Sequence, residues 1–136
     1  MNISVNQTQG RVPVAVLGVQ GDLDASNYQE LIAKARELHN TGTHQILLDL
    51  SNASFVSSSG LVAIHSIALL LRGEQPPDLE QGWSALHAVE RGLGAGPQQR
   101  LKLLNPQPKV DRTLEKAGLK EFFEIHADLA TAIASF

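Results

Sequence analysis

The first part of the chain alternates between apolar and polar residues. Alternation over residues 3–5 and again over 12–19 is typical of strands with one buried face. Gln9–Arg11 carries a turn pattern between them, which predicts a β-hairpin. Pro13 cannot donate a backbone hydrogen bond, so we expect the second strand to begin late or to have a free edge near its start.

The pattern then changes to a helical spacing. Gly21–Asp24 interrupts the strand, and apolar residues recur at helical intervals from about Ser26 to Asn40. Ser26 and Gln29 have the spacing of a capping box, which predicts the start of this helix at Ser26. Ile46–Leu50 is an almost continuous apolar run, as in a central strand covered on both faces.

A second helix follows the central strand. Ser51–Val56 is predicted to be a polar connection, and Ser57–Gly60 opens a helix that ends at Arg72–Gly73. Apolar residues occupy more than one face of this helix, so we expect it to be largely buried.

The last third of the chain repeats the alternation of strand and helix. Strands are predicted at Leu101–Leu104 and Phe122–Ile125, and helices at Pro108–Ala117 and Asp128–Ala134. The full order is β-β-α-β-α-(insert)-β-α-β-α. This order predicts one α/β domain over residues 1–136, with a mostly parallel central sheet, an N-terminal hairpin and helices packed on the sheet.

Residues 73–99 are predicted to be an insertion into this domain. Breakers flank the segment, and Leu79, Trp83, Leu86 and Val89 recur between them at helical spacing. One interpretation is a local helical flap over the edge of the core. The other is a surface for a partner or for self-association, with Trp83 and Leu86 as its anchors.

Composition and charge exclude several classes of function. The chain has 136 residues, 43% of them hydrophobic and 18% charged, with a net charge of -3 and scattered Lys and Arg. Phosphate binding needs a clustered cationic face, so we expect no direct contact with nucleic acid. The longest apolar stretch is too short for a membrane helix, and the N-terminus does not resemble a signal peptide. The absence of cysteine suits a reducing compartment, and we expect a cytoplasmic domain.

No catalytic or metal-binding pattern is present. None of the five histidines has the spacing of a helical zinc site, and the glycines of residues 92–96 do not follow a strand as a phosphate-binding loop would. We therefore predict no metal, no cofactor and no enzymatic activity.

The segment Phe55–Leu61 is the strongest candidate site. Its serines follow a buried strand and precede a helix, where a serine commonly caps the free N–H groups. A second interpretation is a phosphoacceptor, because a phosphate at this position meets free N–H groups and the positive end of the helix dipole. It also adds close to two negative charges to the surrounding surface, which can switch binding of a partner.

Two motifs in order resemble the STAS domain, the family of anti-sigma factor antagonists. Gly21-Asp22-Leu23-Asp24 is similar to the family's G-x-(L/I)-D element. Asp49-Leu50-Ser51 followed by Phe55-Val56-Ser57-Ser58-Ser59-Gly60-Leu61 is similar to its D-(L/V)-S…(F/V)-(M/I)-D-S-S-G-L element. The resemblance extends over nearly the whole chain apart from residues 73–99.

The resemblance implies a regulatory domain that binds an anti-sigma factor of the serine kinase type. The family's phosphorylated serine corresponds to Ser58, with Ser57 and Ser59 as further hydroxyls that could be modified. The same resemblance implies a partner-binding surface that comprises Asp22, Asp24, Ser57, Ser58, Ser59 and Gly60. Ser57 stands where the family's motif has an aspartate. Two alternatives stay open: a non-phosphorylated scaffold in a signalling assembly, and a module that binds a small ligand or nucleotide.

Overall fold

The fold is an α/β sandwich built on a five-stranded sheet. A computed structural model describes residues 2–71 and 98–136. Its elements are β1 (Asn2–Gln9), β2 (Pro13–Leu23), α1 (Tyr28–Asn40), β3 (Ile46–Val56), α2 (Ser58–Leu71), β4 (Gln98–Leu104), α3 (Pro108–Lys116), a 3-10 turn (Leu119–Glu121), β5 (Phe123–His126) and α4 (Leu129–Ala134).

The strands lie in the order β1-β2-β3-β4-β5. β1 and β2 form an antiparallel hairpin, and the other neighbouring strands are parallel. This confirms the predicted fold class and strand directions. Pro13 is the first residue of β2, where it costs no interior ladder hydrogen bond.

The sheet is covered on both faces. The larger core cluster joins alternate strand residues such as Leu17 and Leu48 to the apolar stripes of α1, α2 and α3. α2 has eleven of its 14 residues buried, as its sequence predicts. The smaller cluster on the reverse face includes Val14, Val16 and Leu47 and packs against α4.

A buried lysine ties α4 to the reverse face. The Lys102 side chain is only 4% exposed, and its Nζ donates to the Ser135 carbonyl at 2.8 Å and to Ser135 Oγ at 3.0 Å. It also lies 3.1 Å from a carboxylate oxygen of Glu124. These contacts supply the partners that a buried ammonium requires.

Both central strands are longer than predicted. Gly21–Leu23 belongs to β2, and Ser51–Val56 belongs to β3, so the predictions of a break and of a polar connection were wrong there. β3 pairs with β4 only over Ile46–Asp49, so its second half pairs with β2 alone among the described residues. The extended ends of β2 and β3 therefore project together beyond β4.

Two predicted boundaries are also corrected. The capping box at Ser26 and Gln29 does not form, because α1 begins at Tyr28 with Asn27 at its N-cap. β4 begins at Gln98, so the predicted insertion at 73–99 extends two residues too far. The predictions for Trp83 and Leu86 lie outside the described residues. In the part of the chain that the structure describes, no helix combines the length and apolar character needed to cross a membrane.

Candidate functional site

The two sequence motifs come together at the projecting ends of β2 and β3. Asp22 lies opposite Phe55, and Leu23 lies opposite Val56 in the strand register. The Ser57 N–H then donates to the Leu23 carbonyl at 2.9 Å, directly before α2 begins. The ends of β2 and β3 therefore bring the segments of the two motifs next to each other.

Gly60 allows the first turn of α2 to sit against these strand ends. A Cβ atom at Gly60 would lie 2.8 Å from Val56 Cγ1 and 2.9 Å from the Leu23 carbonyl oxygen. Real Cβ contacts are essentially never that short. The glycine thus permits the close approach of the serine segment to the Gly21–Asp24 segment.

The three serines have different roles at the start of α2. Ser57 is the N-cap residue, because the Gly60 N–H donates to its Oγ at 3.3 Å and the Leu61 N–H donates to its carbonyl at 2.9 Å. Ser58 is the first helical residue and is exposed, whereas Ser59 is half-buried. Ser58 therefore offers its hydroxyl to solvent at the helix N-terminus, where backbone N–H groups lack intrahelical partners.

The replacement of the family's aspartate by Ser57 keeps the cap, since serine and aspartate are comparable N-cap residues. We expect Ser57→Ala to lower the free energy of unfolding by about 1 kcal/mol, as measured by urea denaturation. Ser57→Asp should retain the wild-type stability. Ser58→Ala is the matched control, because it removes an exposed hydroxyl and should change stability by less than about 0.5 kcal/mol. Equal losses for Ser57→Ala and Ser58→Ala would contradict the assignment of the cap.

A compact turn holds the aspartates on the other side of the site. Asp24 Oδ1 accepts from the Ser26 hydroxyl at 2.6 Å and from the Ser26 N–H at 2.9 Å. The bond from the Ser26 hydroxyl and, to a smaller extent, the bond from the Ser26 N–H lower the pKa of Asp24 below its usual value. The Asp24 carboxylate is therefore charged at neutral pH. Asp22 is exposed beside it.

Asn27 is a site residue that sequence reasoning missed. Its Oδ1 accepts from the Asp24 N–H at 2.9 Å, and its Nδ2 donates to the Asp22 carbonyl at 2.8 Å. One side chain therefore clamps the backbone of both aspartates. Asn is a residue that commonly bonds to nearby backbone in turns, and this was the available signal.

Phe55 and Lys109 form a second feature that the sequence did not reveal. The Phe55 side chain is 37% exposed, and Lys109 Nζ lies 5.2 Å from the centre of its ring. α3 is held next to this part of β3 because Gln107 Nε2 donates to the Ser51 carbonyl at 2.8 Å. The ends of β2 and β3, next to the start of α2, therefore carry two carboxylates and an exposed aromatic ring with a lysine over it.

No described residues form a metal centre. The structure contains no group of three or more His, Asp or Glu side chains that could hold a metal, within residues 2–71 and 98–136. His39 and His44 do approach each other, with 3.3 Å between their Nδ1 atoms, although their spacing of five residues does not predict a pair.

Comparisons with known proteins agree with this architecture. Residues 4–75, just over half of the chain, match the STAS domain family. An anti-sigma factor antagonist from Mycobacterium paratuberculosis has a similar structure, with a TM-score of 0.62, 19% identity, and coverage of 98% of this chain and 93% of that chain. The antagonist SpoIIAA in its unphosphorylated form gives a TM-score of 0.61 at 22% identity, with coverage of 97% of this chain and 93% of that chain.

The phosphorylated form of SpoIIAA from Bacillus is also similar. It gives a TM-score of 0.55 at 19% identity, and the match covers 97% of this chain and 96% of that chain. The fold and the paired motifs define an α/β domain of the STAS type. The chain belongs to the STAS domain family, and its fold is that of the anti-sigma factor antagonists.

Proposed function

We propose that this chain is an anti-sigma factor antagonist that binds an anti-sigma factor of the serine kinase type. In this proposal Ser58 is the phosphoacceptor, and its phosphorylation ends binding. The observation that carries the proposal is the placement of Ser58. Its exposed hydroxyl lies at the first position of α2, on a surface that β2, β3 and Gly60 hold in a fixed arrangement.

The same arrangement gives the switch a physical basis. A phosphate on Ser58 lies at the N-terminus of a 14-residue helix, where free N–H groups and the helix dipole favour an anion. It adds about 1.5 to 2 negative charges at neutral pH to a surface that already carries Asp22 and the ionised Asp24. A partner face that accommodates a neutral hydroxyl there meets both repulsion and the cost of desolvating the phosphate.

The chain itself acts as a binding partner and as the substrate of the kinase, not as an enzyme. Ser57 and Ser59 are less suited to modification, since the first caps α2 and the second is half-buried. Because the proposed partner controls a sigma factor, we expect the domain to act in the cytoplasm and to regulate transcription. The related SpoIIAA structures in phosphorylated and unphosphorylated forms support a switch of this kind.

The test compares two residues of the same shape at position 58. Each kinase-type anti-sigma factor encoded in the same genome is purified, and its affinity for the chain is measured by calorimetry. We expect Ser58→Gln to weaken binding modestly, whereas Ser58→Glu weakens it roughly a hundredfold more, because only the glutamate introduces a buried unpaired charge. Thermal unfolding of both variants checks that the fold is intact. Equal affinities for the two variants would exclude a charge-operated switch at Ser58.

A second candidate function is a scaffold that binds its partner without phosphorylation. The serine at position 57 favours it, because the family's motif has a carboxylate there beside the phosphoacceptor. Intact mass spectrometry after incubation of the chain with ATP and the bound kinase separates the two functions. A gain of one phosphate that Ser58→Ala abolishes supports the switch, whereas binding with no gain of mass supports the scaffold.

A further inference from the structure

The outer edge of β1 is open among the described residues. β1 pairs with β2 over all eight of its residues, from Asn2 opposite Gln20 to Gln9 opposite Pro13. It is the terminal strand of the sheet, and no strand within residues 2–71 and 98–136 pairs with its other edge. Such an edge offers a row of backbone donors and acceptors to any extended segment.

The sequence of β1 lacks the usual protection of an edge. Natural sheets discourage edge pairing with charged residues, proline, bulges or very short strands. Residues 2–9 contain no charged residue and no proline, and the register with β2 has no bulge. The opposite edge strand, β5, differs because it has four residues and includes Glu124.

A groove beside this edge can accept the side chains of an added strand. It has a volume of about 610 Å³ and lies between β1 and α1, with Ile3 and Ala33 contributing apolar atoms. Glu30, Lys34 and Glu37 also line it. Ile3 and Val5 are only partly buried and pack against the main core, so an added strand would cover more of their surface.

We propose that a second copy of this chain occupies the edge, with the two β1 strands antiparallel about a two-fold axis. The strand suits its own copy, because its neutral residues bring no like charges together. The α1 surface that lines the groove carries Glu30 and Glu37 as well as Lys34, so each copy presents groups of both signs to the other across the two-fold axis. In this antiparallel pairing, the β1 residues that face α1 lie opposite the corresponding α1-facing residues of the other copy.

The two-fold arrangement closes after two copies. Pairing of β1 with β5 of another copy would instead build a ring or an open filament of several copies, and β5 is too short to match β1. The proposed interface does not include Asp22, Phe55 or Ser58. Self-association and partner binding are therefore separate properties of the chain.

The test measures the mass of the whole chain by sedimentation between micromolar and millimolar concentration. We expect a reversible change from one chain to two. Asn6→Lys and Gln7→Lys lie on opposite faces of β1 at exposed positions, and each should weaken self-association roughly tenfold or more by setting like charges against each other. Asn40→Lys is the matched control, since it makes the same change at an exposed position at the end of α1 and should leave the dissociation constant unchanged.

Three results would overturn the proposal. They are a single chain at every concentration, masses that grow beyond two chains, and a dimer that neither β1 variant weakens. Circular dichroism of each variant establishes that the monomer is folded. Backbone amides of β1 whose hydrogen exchange slows as the concentration rises would place the contact at this edge.

Discussion

Replacing Gly60 with alanine is expected to lower the free energy of unfolding by about 2 kcal/mol, as measured by urea denaturation. Alanine normally stabilises a helix by up to about 1 kcal/mol relative to glycine, so the expected effect has the opposite sign. The reason is the close approach of α2 to the strand ends. The new methyl group would lie 2.9 Å from the Leu23 carbonyl oxygen, which also accepts the Ser57 N–H and cannot move without breaking that bond.

A double-mutant cycle with Val56→Ala isolates the clash. Val56 Cγ1 is the atom closest to the added methyl group, at 2.8 Å. In the Val56→Ala background, Gly60→Ala should therefore cost less than it does in the wild type, with a residual loss from the Leu23 carbonyl. Equal costs in the two backgrounds would place the strain elsewhere, and a Gly60→Ala variant more stable than the wild type would refute the close contact altogether.

The order and direction of the elements could be predicted because the main core follows simple periodicities. The stripe of α1, with Leu31 and Ala35 buried, has helical spacing, and Leu101 and Leu103 alternate toward the same core. Gly118 directly follows the predicted end of this helix at Ala117, and its φ of 77° is typical of a glycine that ends a helix. Each of these signals is local, so the tertiary structure does not need to be known to interpret it.

The projecting ends of β2 and β3 could not be predicted for a physical reason. The register between them shifts at Gly18–Gln20 and again at Gly21–Asp22, which interrupts the alternation of buried and exposed residues. Ser51, Asn52 and Ser54 also have polar side chains, because this part of β3 is less covered than its centre. A polar, irregular strand resembles a loop when only periodicity is considered.

The motifs of the candidate site could be predicted from the sequence, whereas some of its side-chain contacts could not. The backbone brings the Gly21–Asp24 segment next to the start of α2, and a role of Asp22 and Ser58 in partner binding stays a prediction from the family resemblance. The role of Asn27 rests on local bonds within its own turn, which the general turn preference of asparagine does not specify, whereas the role of Lys109 depends on a residue of another element. A lysine 54 positions after Phe55 carries no local sign that it contacts the ring.

The buried histidine of α2 gives the protein an expected sensitivity to acid. His65 is fully buried, with the rings of Phe122 and Phe123 about 6 Å away, centre to centre. Burial lowers the pKa of His65 from 6.5 to about 4, and the nearby Leu61 carbonyl, which does not reach hydrogen-bond geometry with the ring, opposes this only in part. The unfolded chain therefore binds a proton on His65 between these two pH values, while the folded protein does not.

The free energy of unfolding should consequently fall as the pH decreases from about 6.5 to about 4. Each pH unit between the two pKa values corresponds to about 1.4 kcal/mol, so this group accounts for a loss of about 3 kcal/mol. Asp24 and Asp128 also have pKa values below the ordinary 3.8. Their carboxylates therefore stop stabilising the folded protein only at a pH below the range of 6.5 to about 4 in which His65 acts. Urea denaturation at a series of pH values between 7 and 4 measures the effect.

His65→Leu should remove most of this dependence and should also raise stability at neutral pH. Neither ring nitrogen of His65 has a hydrogen-bond partner among residues 2–71 and 98–136, so leucine replaces buried unpaired polar atoms with apolar ones. Ile64→Leu is the control, because it changes a buried apolar residue of the same helix that carries no proton and should leave the pH dependence as it is in the wild type. If His65→Leu retained the full loss between pH 6.5 and 4, the acid sensitivity would have to come from other groups, and His65 would titrate at its ordinary pKa in the folded protein.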